Sequence, residues 1–286
     1  MFKISVVVPT YNSVDLLEQT LQGFSRQSVS RDQFEVIVVD DGSTDDTKSL
    51  VDEYSRTLDI SYHYQEDLGY RLSAARNVGI NFAKYPVTLI FDCGMLPSKF
   101  LLEQHIKMHA GGEDIVLVGL SYGVEEFSMD NSRALQDTIS YLPYHSLFYE
   151  LNKFEKFYDC RYDYCRSVNF DISKNPAAWV MCWGGHMSSR TEVFRRVGGF
   201  DEWFTSWGGE DVEIAIRLYK LGCQFKVMEN LEALHIPHFR CETSNVTSSE
   251  NNIKYILEKH SVPGVELLAT HGWRDIMNLY DVNRSL

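Results

Sequence analysis

Ile4-Ser5-Val6-Val7-Val8-Pro9-Thr10-Tyr11-Asn12 and, further on, Phe34-Glu35-Val36-Ile37-Val38-Val39-Asp40-Asp41-Gly42-Ser43 decide how this chain folds. Each is a short apolar run that ends abruptly in polar residues. Such a run reads as a strand buried on both faces of a parallel sheet. Between the two, Val14, Leu17, Leu21 and Phe24 recur at helical spacing behind Asn12 or Ser13, either of which can cap a helix. Ser43 with Asp46 resembles a capping box for a helix reaching about Tyr54. The alternation continues: strand at 60–64, helix at 71–83, strand at 87–91 ending at Asp92, helix at 100–109, strand at 115–119. It predicts an α/β chain with a Rossmann-like, mostly parallel central sheet and helices on both faces. Ligands of such sheets bind at the carboxyl ends of the strands. Pro9-Thr10-Tyr11, Asp40-Asp41 and Asp92 all fall at those ends.

Composition narrows the partners. The 286 residues suit one large domain or two small ones. The formal charge is 27 − 40 = −13 and no basic run occurs, which excludes nucleic acid as a partner. A nucleotide-sized anion stays compatible, because local arginines and helix N-termini can hold one. The six cysteines form no C-x-x-C pair, so free thiols in a reducing, cytoplasmic setting are expected. No apolar stretch reaches transmembrane length, which leaves peripheral membrane contact open. Oligomeric state is not legible.

Beyond residue 120 the pattern weakens. Residues 121–178 are rich in tyrosine and charge, and 141–158 reads as a helix or a lid. A strand is expected over 181–188, helices over 191–197 and 211–221, short strands at 225–228 and 233–236, and a helix over 253–259. From Thr270 no pattern is visible. One stretch here carries chemistry: Gly198-Gly199-Phe200-Asp201-Glu202-Trp203-Phe204-Thr205-Ser206-Trp207-Gly208-Gly209-Glu210-Asp211. Glu210 and Asp211 open an amphipathic helix, where acids suit the dipole whether or not they react. Gly208 and Gly209 let backbone approach a ligand, and the indole of Trp207 offers a flat face to a sugar or to the core. The first turn, Pro9-Thr10-Tyr11-Asn12, has no G-x-G-x-x-G, so a dinucleotide could not lie close to it.

Taken in order, these motifs resemble the family 2 glycosyltransferases. The carriers are Ser5 to Asn12, Val38 to Asp45, Ala75-Arg76-Asn77-Val78-Gly79, and the Gly198–Asp201 and Trp207–Asp211 blocks. The last two are similar to the acceptor-side motif of bacterial chondroitin-polymerase-type enzymes and animal galactosyltransferases. The resemblance implies a GT-A fold, a UDP-sugar donor, and inverting transfer of a hexose or N-acetylhexosamine to a hydroxyl of a glycan, lipid-linked sugar or natural product. It implies two halves of one domain, 1–120 for the donor and 121–286 for the acceptor. Pro9, Thr10, Tyr11, Asp40 and Asp41 would line the base and ribose pocket, with Arg71 or Arg76 near the base or phosphates, although Arg76 reads equally as a helix-surface ion pair. Asp211 would be the base, Glu210 would orient hydroxyls, and Trp207, Gly208, Gly209 and His186 would meet the acceptor. The family's Asp-x-Asp metal motif stands here as Asp92-Cys93-Gly94, without the second carboxylate. Mn²⁺ or Mg²⁺ would then rest on Asp92, diphosphate and a histidine, with His235 favoured over His238, or metal dependence is weak or lost. The alternative is a nucleotide-sugar-binding protein without transferase activity.

Overall fold

A computed structural model describes residues 3–123, 129–238 and 242–281. In chain order it contains β1 (Ile4–Thr10), α1 (Val14–Phe24), β2 (Phe34–Asp40), α2 (Thr47–Tyr54), β3 (Ile60–Tyr64), α3 (Leu72–Phe82), β4 (Val87–Phe91), β5 (Met95–Pro97), α4 (Leu101–His109) and β6 (Ile115–Tyr122). The second part adds α5 (Met129–Ser140), α6 (Tyr144–Leu151), α7 (Tyr162–Ser167), β7 (His186–Arg190), α8 (Thr191–Arg196), α9 (Glu210–Lys220), β8 (Gln224–His235), α10 (Glu242–Lys259) and α11 (Trp273–Leu279).

The eight strands form one sheet in the order β3-β2-β1-β4-β7-β6-β8-β5. β1 pairs parallel with β2 and β4, β2 with β3, and β6 with β8. β7 runs antiparallel between β4 and β6, and β5 runs antiparallel along β8. The predicted α/β, mostly parallel GT-A architecture is what forms. Every residue of β1 and β2 is buried, as their unbroken apolar runs require. One face of α1, with Leu17, Leu21 and Phe24, closes over the sheet with Phe34, Phe91 and Leu101. The other layer gathers Val7, Ile90, Trp179, Met187, Phe194 and Ile216. The chain runs outward from β1 to β2 and β3 and then crosses back to β4 on the other side of β1, and a crevice opens at the carboxyl ends where the order reverses.

Several expectations change in the second part. A 3-10 turn at Ala178–Met181 occupies the start of the expected strand, so β7 begins only at His186. The two short strands are one, β8, with an irregularity in its pairing to β6. The stretch after Thr270 forms α11, which Ile276 and Met277 fasten to the core although their spacing carries no period. The region 141–158 holds α6 rather than a lid, and α5 and β5 were not anticipated. No helix among the described residues is long and apolar enough to cross a membrane. Cys93, Cys160, Cys165, Cys182 and Cys223 are free thiols; Cys241 lies outside the described residues.

Candidate active site

The donor side is a set of turns held by carboxylates. Thr10 lies opposite Asp40 in the β1–β2 register, and buried Pro9 opposite Val39. Asp40 Oδ1 accepts the Ser43 N–H at 2.8 Å and Oδ2 accepts the Tyr62 hydroxyl at 2.6 Å. Asp41 accepts the Arg71 N–H at 2.9 Å and the Gln65 amide. Both acids therefore brace the turns at the ends of β1 to β3. The half-exposed Tyr11 donates its hydroxyl to Asp67 at 3.0 Å, tying β1 to the loop 65–71. Arg71 caps the start of α3, and its guanidinium makes no hydrogen bond or ion pair among the described residues.

Arg76 behaves otherwise. It is 1% exposed, which corrects the reading of it as a surface ion pair: the ion pair forms, but inside the fold. Its Nη2 donates to Asp92 Oδ1 and its Nη1 to Glu210 Oε1, each at 2.9 Å. The guanidinium also lies 5.0 Å from the Phe200 ring. A Cβ at Gly184 would come within 2.8 Å of Nη1, so only glycine leaves room for the arginine. Arg76 thus joins the turn after β4 to the start of α9. Arg76 Nε and Glu210 Oε2 are buried without hydrogen-bond partners among the described residues. Burial and the adjacent Asp211 charge push the Glu210 carboxyl up to about 7, against the pull of Arg76.

Asp211 is half-buried beside this bridge. Its Oδ2 accepts the Gly184 N–H at 3.0 Å and its Oδ1 the Val212 N–H at 2.7 Å. Burial still raises its pKa, with those N–H bonds and Arg76 opposing. Tyr70 was missed from sequence. Burial and the nearby charges of Glu210, Asp92 and Asp211 raise its hydroxyl well above the usual phenol value. It therefore sits among the same acids. Its signal was position alone, one residue before Arg71.

The loop that precedes Asp211 is clamped from α10. The buried Asn252 amide donates to Gly208 O at 2.6 Å and to Trp207 O at 3.2 Å. Gly209 caps α9 with φ +95°. Trp207 is 38% exposed, which leaves an indole surface available to ligand. Trp203 instead stacks on Tyr255, centroids 3.7 Å apart. Asn77 holds the Phe200 backbone through both its N–H and its C=O.

Three further expectations are decided by position. His186 does not reach the acceptor. It lies buried in β7, with Nε2 3.0 Å from His105 Nε2, and burial lowers its pKa to about 3. Ser188 and His109 extend this buried row. Cys93 takes the Thr10 hydroxyl and donates to Ser13 O, and burial pushes its thiol up to about 12. His235 pairs with Met95 across β5–β8, and the next N–H, of Ile236, donates to Gly94 O at 2.9 Å. His235 therefore stands beside the Asp92-Cys93-Gly94 turn. Among the described residues no three His, Cys, Asp or Glu side chains converge on a cation position. Gly94 has φ +86°, a backbone that disfavours the missing aspartate for steric reasons. The donor set fits a cation that arrives bound to a diphosphate, not one caged by protein alone.

A GT-A sheet with carboxylates at its switch point and acids on a facing helix defines the architecture of nucleotide-sugar enzymes. Residues 5–174 match Glycosyl transferase family 2, and residues 166–240 match the N-terminal domain of galactosyltransferase. The chain belongs to glycosyl transferase family 2. It is 36% identical over 258 residues to a validoxylamine A glucosyltransferase of Streptomyces hygroscopicus subsp. jinggangensis, covering 90% of this chain and 61% of that protein. It is 31% identical over 273 residues to a chondroitin synthase of Escherichia coli, covering 91% and 38% respectively. The chain thus spans less than two thirds of these relatives' length. Staphylococcus aureus TarS has the same fold, with TM-score 0.63 at 20% identity, over 96% of this chain and 41% of that one. So does the mannosyltransferase PcManGT from Pyrobaculum calidifontis in complex with GDP-Man and Mn²⁺, with TM-score 0.62 at 19% identity, over 99% and 71%.

Proposed function

We propose that this chain is a cytoplasmic, inverting glycosyltransferase that moves a hexose or N-acetylhexosamine from a UDP-sugar to a hydroxyl of a glycan, lipid-linked sugar or natural product. The observation that carries this reading is Asp211: a half-buried carboxylate at a helix start, beside a bridge that reaches Asp92 at the strand ends. The named relatives include glucosyl and chondroitin synthesis, and TarS has been solved with UDP and with UDP-GlcNAc, which supports the donor class.

Residues 1–120 would hold the donor. Thr10, Tyr11, Asp40 and Asp41 form the base and ribose wall, and the free Arg71 guanidinium faces the diphosphate. Residues 121–286 would complete the acceptor side, with Trp207 against a sugar face and Gly208 and Gly209 admitting its hydroxyls. Asp211 takes the proton of the attacking hydroxyl, as a general base within hydrogen-bond reach can. Its raised pKa favours that proton. Glu210, fixed by Arg76, orients acceptor or donor hydroxyls. Asp92 and His235 would hold Mn²⁺ or Mg²⁺ together with the diphosphate, and such a cation neutralises the departing charge.

The Gly94 position supports a second reading, a nucleotide-sugar binder without turnover. A thermal-shift screen of nucleotide sugars, with and without Mn²⁺, followed by transfer assays with the stabilising donor, separates the two. A donor that raises the melting temperature and is turned over supports the transferase. Tight UDP binding with no turnover of any donor sinks it.

A further inference from the structure

The tripeptide Trp183-Gly184-Gly185 meets two acids of the site, Asp211 and Asp92, through its backbone. The Gly184 N–H donates to Asp211 Oδ2 at 3.0 Å, and Gly184 lies against Arg76. Gly185 O accepts the Asp92 N–H at 3.0 Å, and Gly185 packs beside the Asp92 carboxylate. Glycine backbone is soft, so something else must fix this turn.

What fixes it lies behind. Arg161 is 3% exposed and makes two bonds to Asp159, Nε to Oδ1 at 2.8 Å and Nη2 to Oδ2 at 2.7 Å. Its remaining N–H groups donate to Met181 O at 2.7 Å and Gly119 O at 3.2 Å. Asp159 in turn accepts the Ser121 N–H at 2.9 Å. The guanidinium carbon sits 4.0 Å from the centre of the Trp183 ring. Trp273 of α11 meets the same indole at 85°, centroids 6.3 Å apart. A buried ion pair adds little net stability over apolar packing of the same volume. Here its position binds β6, the 3-10 turn and the indole into one rigid block that ends at Gly184.

We infer that Arg161 and Trp183 are positioning residues which aim the Gly184 N–H at Asp211, and so set how readily that carboxylate takes up a proton. The inference rests on the proposed role of Asp211 only for its catalytic meaning; the geometry stands by itself. The charged and titratable groups that face Asp211 are Arg76 from α3, Asp92 after β4, Glu210 on its own helix, Tyr70 from the loop before α3 and Cys182 beside the tripeptide. None of them is itself substituted by a change at Trp183 or Arg161, and Arg161→Lys keeps the positive charge that acts on Cys182. An N–H donated to a carboxylate favours its charged form. Loss of alignment therefore raises the Asp211 titration midpoint.

The test is an NMR pH titration of isotope-labelled aspartate carboxyls in the full chain, with the Asp211 signal assigned by its loss in D211N. Trp183→Leu removes the ring face above Arg161, and Arg161→Lys keeps a charge on Asp159 but breaks the fork. Both raise the Asp211 midpoint by at least about half a unit, while Trp183→Phe, which restores a flat ring, stays within about 0.2 units of wild type. Circular dichroism and melting temperature establish folding. If Trp183→Leu fails to fold, Arg161→Lys decides alone, because it leaves the Asp159 charge compensated. Folded variants with the wild-type midpoint overturn the inference. The base assignment fails separately, if D211N retains full transfer.

Discussion

Arg76 and Glu210 are 134 residues apart in the chain and 2.9 Å apart in the fold. The same guanidinium holds Asp92, so one buried cation links the turn after β4 to the start of α9. Glu210 could not be left there alone, because a buried charge without a partner is costly, whereas Asp92 is partly exposed.

Replacing Arg76 with methionine strands Glu210 beside Asp211 and releases Asp92. We expect a loss of about 3–5 kcal/mol in chemical denaturation, of the size seen when one partner of a buried pair is removed. Arg76→Lys recovers part of the stability, since one ammonium cannot bond both acids in the planar geometry of a guanidinium. An Arg76→Met protein as stable as wild type would show the bridge to be energetically idle.

Asp211→Asn should lower turnover by about 10²–10⁴-fold while leaving UDP affinity within about twofold, because a general base acts in the reacting state and not on the nucleotide. Paired measurements of transfer rate and of UDP binding by calorimetry check this. Loss of both together would mean that Asp211 shapes the donor pocket.

Gly94 is the position where the family's second metal carboxylate would stand. Gly94→Ala should cost about 1–2 kcal/mol, the price of a Cβ in the left-handed region, and Gly94→Asp somewhat less, because aspartate visits that region more readily. Melting curves of the two variants test the order. The space itself is no obstacle, since an added Cβ meets Leu16 only at 3.5 Å.

The row His105, His109 and His186 predicts acid sensitivity. Burial lowers all three, to about 4 for His109 and about 3 for His186. The neutral ring is the folded form, so its stabilising contribution is complete above the unfolded value near 6.5. It is lost as pH falls through the folded values. In that window each histidine contributes a slope of about 1.4 kcal/mol per pH unit. Denaturation at intervals between pH 7 and pH 4 measures it, and His109→Gln should flatten the slope by one such increment. An unchanged slope would mean that His109 does not titrate in this window.

The first half of the fold was legible because its strands are buried on both faces, and unbroken runs such as Val6-Val7-Val8 have no other use. The site acids at strand ends followed from the same logic. Arg76 was misread because one helix face looks alike whether it meets water or a distant carboxylate; only tertiary structure supplies Glu210. His186 was misplaced for a related reason, since a histidine after Trp-Gly-Gly gives no sign of whether β7 turns it inward. The triplet Trp183-Gly184-Gly185 repeats Trp207-Gly208-Gly209 in the sequence. That repetition was the available hint that a second backbone segment approaches the acids. β8 read as two strands because Glu229 and Asn230 interrupt its apolar pattern where its pairing slips. The helix α11 has too few apolar residues for a period to show.

The antiparallel strand β7 has a consequence for synthesis of the chain. β4 finds its outer neighbour only when β7 arrives, with Thr88 opposite Ser189 and bonded to Thr191, the first residue of α8, across 103 residues of sequence. Until then a growing chain holds β3-β2-β1-β4 with the apolar edge of β4 open. β6 waits for the same strand, and for β8. An open edge of this kind recruits other chains. Fragments ending before residue 186 should therefore collect in the insoluble fraction, even though they contain the strand-end acids Asp40, Asp41 and Asp92.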